Sequence, residues 1–198
     1  LGISLKLAST LAFLFMSTLV KLASDEIPIG EIMFFRAFFA IIPLLIWLWW
    51  NNEIRSSLRT NRLGGHLVRS LSGSGGMYFG FAALALLPLP DATAIGYLAP
   101  LIATALAALL LKETVKAYRW MAITIGFIGT FIMIVPHFEE QKFSNLFQAG
   151  PALGALAGLL AALCNGFSAV QIRKLAQIER TGTIVFYFLI VTSLIGLI

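Results

Sequence analysis

The amino-acid sequence predicts an all-α integral membrane protein, with seven transmembrane helices present of an expected ten, arranged as inverted five-helix repeats. Three observations carry the prediction. Apolar residues make up 59% of the 198-residue chain and charged residues only 12%, whereas a soluble domain is about a quarter charged. The apolar residues gather into stretches of the ~20 residues that cross a bilayer as a helix. The connections between those stretches alternate in charge.

The first stretch, 5–23, follows no signal pattern: Lys6 opens it, but no small-residue cleavage site precedes the next stretch, so it is a retained helix. The second, 29–50, begins after Pro28. The third, 66–87, follows Gly64-Gly65 and stops at Pro88 and Pro90. The fourth covers 92–111, the fifth 118–136 with Pro136 at its end, and the sixth 151–172 after Gly150-Pro151. Gly and Pro at these places suit helix ends. A seventh stretch starts at Thr183 and still runs at Ile198. With Leu1 rather than Met at the start, both ends of the sequence are expected to be cut.

The connections fix the threading. The second carries Arg55, Arg59 and Arg62, the fourth Lys112, Lys116 and Arg119, the sixth Arg173, Lys174 and Arg180. The first carries Asp25 and Glu26 near Lys21, the third Asp91, the fifth Glu139 and Glu140 against Lys142. Every even connection is basic and no odd one is. The positive-inside rule places the even connections and the N-terminus in the cytoplasm. Trp47, Trp49, Trp50 and Trp120 then lie where an inner aromatic belt is expected. The net charge of +5 is dispersed among these connections, which excludes the concentrated basic face of a nucleic-acid binder. The expected partners are the lipid bilayer and a small-molecule substrate; the residues set no oligomeric state.

A repeat is also visible. Lys21-Leu22-Ala23 closes the first stretch and Lys174-Leu175-Ala176 the sixth. Gly30, Ile32, Phe34, Leu45 and Ile46 recur as Gly182, Ile184, Phe186, Leu197 and Ile198. Five spans separate the copies, so the second is inverted, as in many secondary transporters. The expected division is a first repeat over 2–136, a periplasmic connector over 137–150, and the start of a second repeat over 151–198, with about 90–100 residues of it lacking.

Polar residues at bilayer depth are costly and mark functional paths. In the fourth stretch, Thr93, Tyr97 and Thr104 share a helical face with Pro100. A proline removes a backbone bond and frees the carbonyl of Gly96 for substrate. The plainer alternative is a simple bend, with the threonines bonding their own backbone. In the third stretch, Ser70, Ser74 and Tyr78 recur at four-residue spacing, and Gly73, Gly76 and Gly80 permit close packing. Tyr78, with a ring to stack and a hydroxyl to donate, is a cavity candidate. In the sixth, Asn165 and Ser168 face the interior, either as site residues or as helix-to-helix bonds; Gly154 and Gly158 are packing positions. Ser17 is a weaker candidate in the first. Arg36 lies two turns inside the second stretch and needs an anion; Glu31, Asp91 or a substrate carboxylate or phosphate would serve, and Arg36 with Glu31 forms a candidate gate or ion pair. Arg69 is expected to snorkel to the cytoplasmic face.

Catalysis finds no support. His66 and His137 fall at stretch ends on opposite sides of the membrane, and no HExxH pattern occurs. Ser72-Gly73-Ser74-Gly75 lacks the GxSG spacing and a histidine at the same depth that an intramembrane serine protease needs. No phosphate-binding glycine run occurs. Cys164, the sole cysteine, sits in an apolar stretch as a small hydrophobe. No cofactor, metal or catalytic residue is expected, and the chain is not read as an enzyme.

Several runs together resemble the EamA-type drug/metabolite transporters. They are Glu31-Ile32-Met33-Phe34-Phe35-Arg36-Ala37, Leu89-Pro90-Asp91-Ala92-Thr93-Ala94-Ile95, Ala99-Pro100-Leu101, Lys112-Glu113-Thr114, and Arg119-Trp120 leading to Gly126-Phe127-Ile128-Gly129. Ile172-Arg173-Lys174-Leu175-Ala176, followed by Ile184-Val185-Phe186-Tyr187-Phe188, completes the set. The resemblance implies ten helices in two inverted repeats, a central cavity lined partly by helices one, three, four and six, and location in the bacterial inner membrane. It implies a secondary transporter of small metabolites, amino-acid, nucleoside- or vitamin-like, working by alternating access; the alternative is a non-transporting scaffold or an intramembrane enzyme. On this reading the substrate meets Ser17, Tyr78, Tyr97, Pro100, Thr104, Asn165 and Ser168. The family often has Gly-Glu where Lys112-Glu113 stands here.

Overall fold

The computed structural model describes residues 2–24, 26–60, 62–111, 114, 116–139 and 150–197, with side chains described throughout these except at 55–56 and 134–139. The described residues form helices and no strand: α1 (Gly2–Ala23), α2 (Ile29–Trp50), α3 (Ile54–Ser57), α4 (Leu63–Leu86), α5 (Leu89–Gly96), α6 (Leu98–Leu110), α7 (Ala117–Glu139), α8 (Gly150–Leu175) and α9 (Thr181–Gly196). The expected all-α class is observed, and each expected stretch is helical to within three residues of its predicted ends. The fourth stretch is interrupted at Tyr97 and becomes α5 and α6. Pro100 has no N–H to offer the Gly96 carbonyl, so the ladder fails one turn before the proline. The one-turn helix α3 in the second connection was not foreseen. Asp25, Lys112, Glu113 and most of the 137–150 connector lie outside the described residues.

Four rods are long and apolar enough to cross a membrane: α1, α2, Leu89–Leu110 and α8. Part of α7, Ala117–Met133, and α9 are shorter apolar helices. The 24-residue α4 spans about 36 Å at 1.5 Å per residue but is the most polar of the long helices. Its position explains this. It lies between α8 and α9 and touches α1 and α2, so neighbouring helices rather than lipid solvate its polar face.

Helix α4 runs antiparallel to α8 along a seam of small residues. Gly65 lies against Leu175, Gly73 against Ser168, Gly76 against Asn165 and Gly80 against Ala161. On its other side α4 runs parallel to α9, pairing Arg69 with Phe188 and Ser74 with Thr192. Helix α8 runs parallel to α5 and α6, with Gly158 on Ile95 and Gly166 on Ile102. These directions are those that successive crossings of one bilayer require. Helices α2 and α9 are antiparallel and pack reciprocally: Gly30, at the start of α2, meets Gly196 at the end of α9, and Gly182, at the start of α9, meets Leu48 at the end of α2. An offset of 152 residues that maps Gly30 onto Gly182 also maps the end of α1 onto the end of α8 and the start of α2 onto the start of α9.

The apolar core gathers around the C-terminal half of α4, where Phe81, Leu84 and Leu87 pack with Val20, Met33, Ile95, Leu98 and Ala155. Lys21 closes this end. Its Nζ donates to the carbonyls of Leu84 at 2.8 Å and Leu87 at 2.6 Å, satisfying acceptors that the helix end leaves open and placing a cation at the negative end of its dipole.

Because lipid tails are as apolar as leucine, close backbone approach rather than hydrophobic burial holds such helices together. A Cβ at Gly166 would lie 2.6 Å from the Ile102 side chain and 3.1 Å from the Ala103 backbone nitrogen, whereas one at Gly64 would meet nothing within 4 Å. Gly166→Ala is therefore expected to lower the thermal unfolding temperature in detergent, with overpacking costing about 1–3 kcal/mol. Gly64→Ala is expected to leave it unchanged or raise it, because alanine favours the helix by about 1 kcal/mol. Scanning fluorimetry of the two variants checks the opposite signs.

Candidate functional site

Most of the buried polar side chains among the described residues lie on α4 and α9. His66, Ser70 and Ser74 recur at four-residue spacing on α4 and are buried, as are Thr183, Thr192 and Ser193 on α9. The Ser74 and Thr192 hydroxyls share a 2.6 Å hydrogen bond between the middle of α4 and the last third of α9. The Ser70 and Thr183 hydroxyls and the Ser57 hydroxyl have no hydrogen-bond partner.

At the N-terminal ends of α4 and α9 this seam is tied to the connections. The His66 ring is 1% exposed and stacks on Tyr187 at a centroid distance of 4.8 Å. Its Nε2 is 3.9 Å from Glu179 Oε1, and the same carboxylate oxygen accepts from Thr60 Oγ1 at 2.6 Å. The Tyr187 hydroxyl donates to the Leu58 carbonyl at 3.2 Å, and Arg180 pairs with Glu53 at 3.1 Å. Four contacts thus tie the second connection and the start of α4 to the sixth connection and the first half of α9. Nothing in sequence spacing reveals this, because partners more than a hundred residues apart carry no periodic signal. His66, expected at a stretch end near the surface, is instead enclosed between two helices, since Tyr187 covers its face.

Arg69 departs furthest from expectation. It does not snorkel. It is 9% exposed, and its guanidinium carbon lies 3.8 Å from the centre of the Phe188 ring. The cause is Gly73: a Cβ there would sit 2.9 Å from both Arg69 Nη1 and Phe188, so the absent side chain leaves the space that the guanidinium fills, and the ring supplies a cation–π face. Arg36, although exposed, reaches from α2 to α4. It donates to the Met77 sulfur, lies 5.9 Å from the Phe81 ring centre, and forms no ion pair with Glu31, which is exposed at the start of α2. Arg36, Ala40, Met77, Phe188 and Thr192 are among the walls of a cavity of about 90 Å³. This cavity lies between α2, α4 and α9, the second, third and seventh spans.

The other candidates divide between two places. Asn165 and Ser168 lie on the α8 face against α4, the Asn165 amide against Gly76 and the Ser168 hydroxyl beside Gly73. Ser168 is buried. Tyr78, on α4 beyond Met77, is 45% exposed with its ring edge-on to Phe79. Tyr97, at the break between α5 and α6, is 73% exposed, and Pro100 is exposed on the same surface. Thr104 Oγ1 donates to the Pro100 carbonyl at 2.8 Å, and Thr93 Oγ1 to the carbonyls of Leu89 and Pro90, so these threonines bond their own backbone. Buried Ser17 does likewise, donating to Phe13 at 2.9 Å. The structure does not bring Tyr97, Pro100 and Thr104 to the cavity beside Arg36. No group of three or more metal-ligating side chains gathers among the described residues.

Apolar membrane-length helices around a polar seam define a multi-pass membrane protein. The chain belongs to the EamA-like transporter family, whose model matches residues 1–135. It is 33% identical over 197 residues to the pseudopaline exporter of Pseudomonas aeruginosa, covering 99% of this chain and 65% of that protein. It is 29% identical over 167 residues to the S-adenosylmethionine uptake transporter of Rickettsia prowazekii, covering 84% and 53%. It is 28% identical over 190 residues to the riboflavin transporter of Vibrio cholerae, covering 94% and 60%. The chain thus spans between about half and two thirds of the length of these relatives. No solved structure matches it.

The Ser74–Thr192 bond offers a direct check on the α4–α9 contact. Thr192→Val and Ser74→Ala are each expected to lower stability, and the double variant to cost less than their sum. The coupling expected in a membrane is about 0.6 kcal/mol and at most about 1.7 kcal/mol, read from a double-mutant cycle of unfolding in detergent.

Proposed function

We propose that the protein is a secondary transporter of small metabolites, working by alternating access between inverted halves in the bacterial inner membrane, with its N-terminus in the cytoplasm. The observation that carries this reading is the reciprocal packing of α2 on α9. Each helix sets the glycine near its start against the end of the other, and the 152-residue offset that relates these glycines also relates the boundaries of α1–α2 to those of α8–α9. Reciprocal antiparallel packing of related helices is what a two-fold axis in the membrane plane produces, and such inverted repeats rock about a central site.

The basic even connections support the orientation. The relatives support the cargo class, since their names speak of pseudopaline export, S-adenosylmethionine uptake and riboflavin transport. In this proposal Tyr78, Asn165 and Ser168 face the path beside α4. Tyr97, Pro100 and Thr104 form a second wall on α5 and α6, and Ser17 lies behind α4. Arg36, near Glu31 in sequence, guards the path from α2. The four contacts that tie the second connection and the start of α4 to the sixth connection and the first half of α9 close the cytoplasmic end, so opening inward requires those contacts to break.

Proteoliposomes holding the gene product, assayed with a broad panel of radiolabelled metabolites, are expected to show saturable, substrate-dependent flux. Tyr78→Ala and Asn165→Ala are expected to cut that flux at least about tenfold, the loss of a hydrogen bond to a charged or polar substrate group, while membrane insertion stays intact. Absence of flux across the panel contradicts the proposal.

A further inference from the structure

We propose that the cavity between α2, α4 and α9 binds one anionic group of a soluble molecule, a carboxylate or a phosphate, held by Arg36 and Arg69. This names a substrate class for the transport reading above and rests on it for biological context. The binding itself stands on the geometry.

The charge balance comes first. Of the nine carboxylates of the chain, those at the described positions 26, 31, 53, 91, 139 and 179 all fall in connections or in the terminal turns of helices. Arg36 and Arg69 do not: each lies more than a full turn inside a helix. Among the described residues, Arg36, Arg69 and the exposed Lys6 are the cations that lie more than a turn inside a helix, and no described carboxylate lies as deep, an arrangement that a charged cargo can complete.

Both guanidinium groups also have donors to give. Arg69 is nine-tenths buried, and its Nε and Nη1 have no hydrogen-bond partner. Arg36 spends its contact on the Met77 thioether, a weak acceptor that a carboxylate or phosphate oxygen outcompetes. The buried Arg69, left with a ring face, has not replaced the hydration it lost; Arg36 is exposed and holds only a sulfur.

The two groups converge on one place. Arg69, Gly73 and Met77 follow at four-residue spacing along one face of α4. The Arg69 guanidinium occupies the space above Gly73, about 6 Å along the axis from Met77 at 1.5 Å per residue. Met77 is a wall of the cavity and the partner of Arg36. Phe188 is shared as well: it walls the cavity and carries the Arg69 stack. An anion in the cavity meets Arg36 directly and draws Arg69 past the edge of Phe188, while Thr192, also in the wall, supplies a hydroxyl. The remaining walls are apolar, so the site takes the charged end of a molecule whose body extends along the open path.

The test uses the protein in phosphatidylcholine nanodiscs at constant ionic strength. Thermal unfolding is followed with acetate or inorganic phosphate as probe and acetamide as the neutral control. The anions are expected to raise the unfolding temperature in a saturable manner and acetamide is not. Arg36→Gln and Arg69→Gln are each expected to weaken the apparent affinity about tenfold or more, the loss of a charge-assisted hydrogen bond, and Arg36→Lys to restore part of it. Should Arg69→Gln not fold, Gly73→Ala carries the same test, because its methyl group takes the place of the guanidinium. Equal stabilisation by acetamide, or unchanged acetate affinity in the variants, overturns the proposal. So does loss of acetate binding in nanodiscs containing phosphatidylglycerol, which assigns the arginines to a lipid headgroup. The transport reading fails separately: it falls if no metabolite of any charge is carried, and it survives failure of the anion site if neutral or cationic metabolites are carried with saturation.

Discussion

The close approach of α4 to its neighbours in a lipid solvent is the constraint on which the rest of this structure depends. Lipid removes the ordinary reason for apolar surfaces to meet, so helices associate through van der Waals contact and whatever polar bonds they can share. Glycines at 65, 73, 76 and 80 let α8 lie against α4, and at 65, 73 and 76 the approach is so close that an added methyl group would crowd α8. Once α8 is seated, α5 and α6 pack on its far side through Gly158 and Gly166, and α9 fills the remaining flank of α4. A helix enclosed in this way can carry serines, a histidine and an arginine that a lipid-facing helix cannot.

That enclosure divides α4 into two chemical regimes. Its C-terminal half is packed with Phe81, Leu84 and Leu87 and is ended by the Lys21 ammonium. Its N-terminal half presents His66, Arg69, Ser70 and Ser74 to α9. The apolar half gives the bundle a fixed end. The polar half is only partly satisfied: a bond joins Ser74 to Thr192, while several neighbouring donors lack partners. Incomplete satisfaction is costly in a static core and reasonable in a passage whose occupant supplies the missing acceptors.

How much of this was legible in the sequence depends on the range of the interaction. Helix existence and extent were legible because a membrane helix is written in consecutive residues, and even the break at Tyr97 followed from Pro100. The small-residue seam is legible in part: Gly154 and Gly158 are packing positions, yet their partners, Leu86 and Leu87 at the end of α4 and Ile95 on α5, are not, because the pattern names the glycine and not what it meets. Arg69 was misread because snorkelling is the default for an arginine near a helix end. Only the pairing of Gly73 with Phe188, across more than a hundred residues, turns it inward. The latch of His66, Glu179, Thr60 and Tyr187 was hidden for the same reason. The stripe of Thr93, Tyr97 and Thr104 shows the converse failure: a shared helical face is real, but two of its hydroxyls are bonded to their own backbone.

The seam between α4 and α8 can be tested with almost no disturbance. A Cβ at Gly75 would lie 3.7 Å from the Cys164 sulfur, and Cys164 is the sole cysteine of the chain, so Gly75→Cys creates one new pair within disulfide reach. Oxidation of that variant in membranes, followed by denaturation and maleimide-polymer labelling of free thiols, measures the pairing within single chains. The account predicts that both thiols disappear on oxidation and return on reduction, while the parent chain keeps its single thiol throughout. Two labelled thiols after oxidation would show that α4 and α8 do not meet along this face, and the arrangement built upon that contact would fall with it.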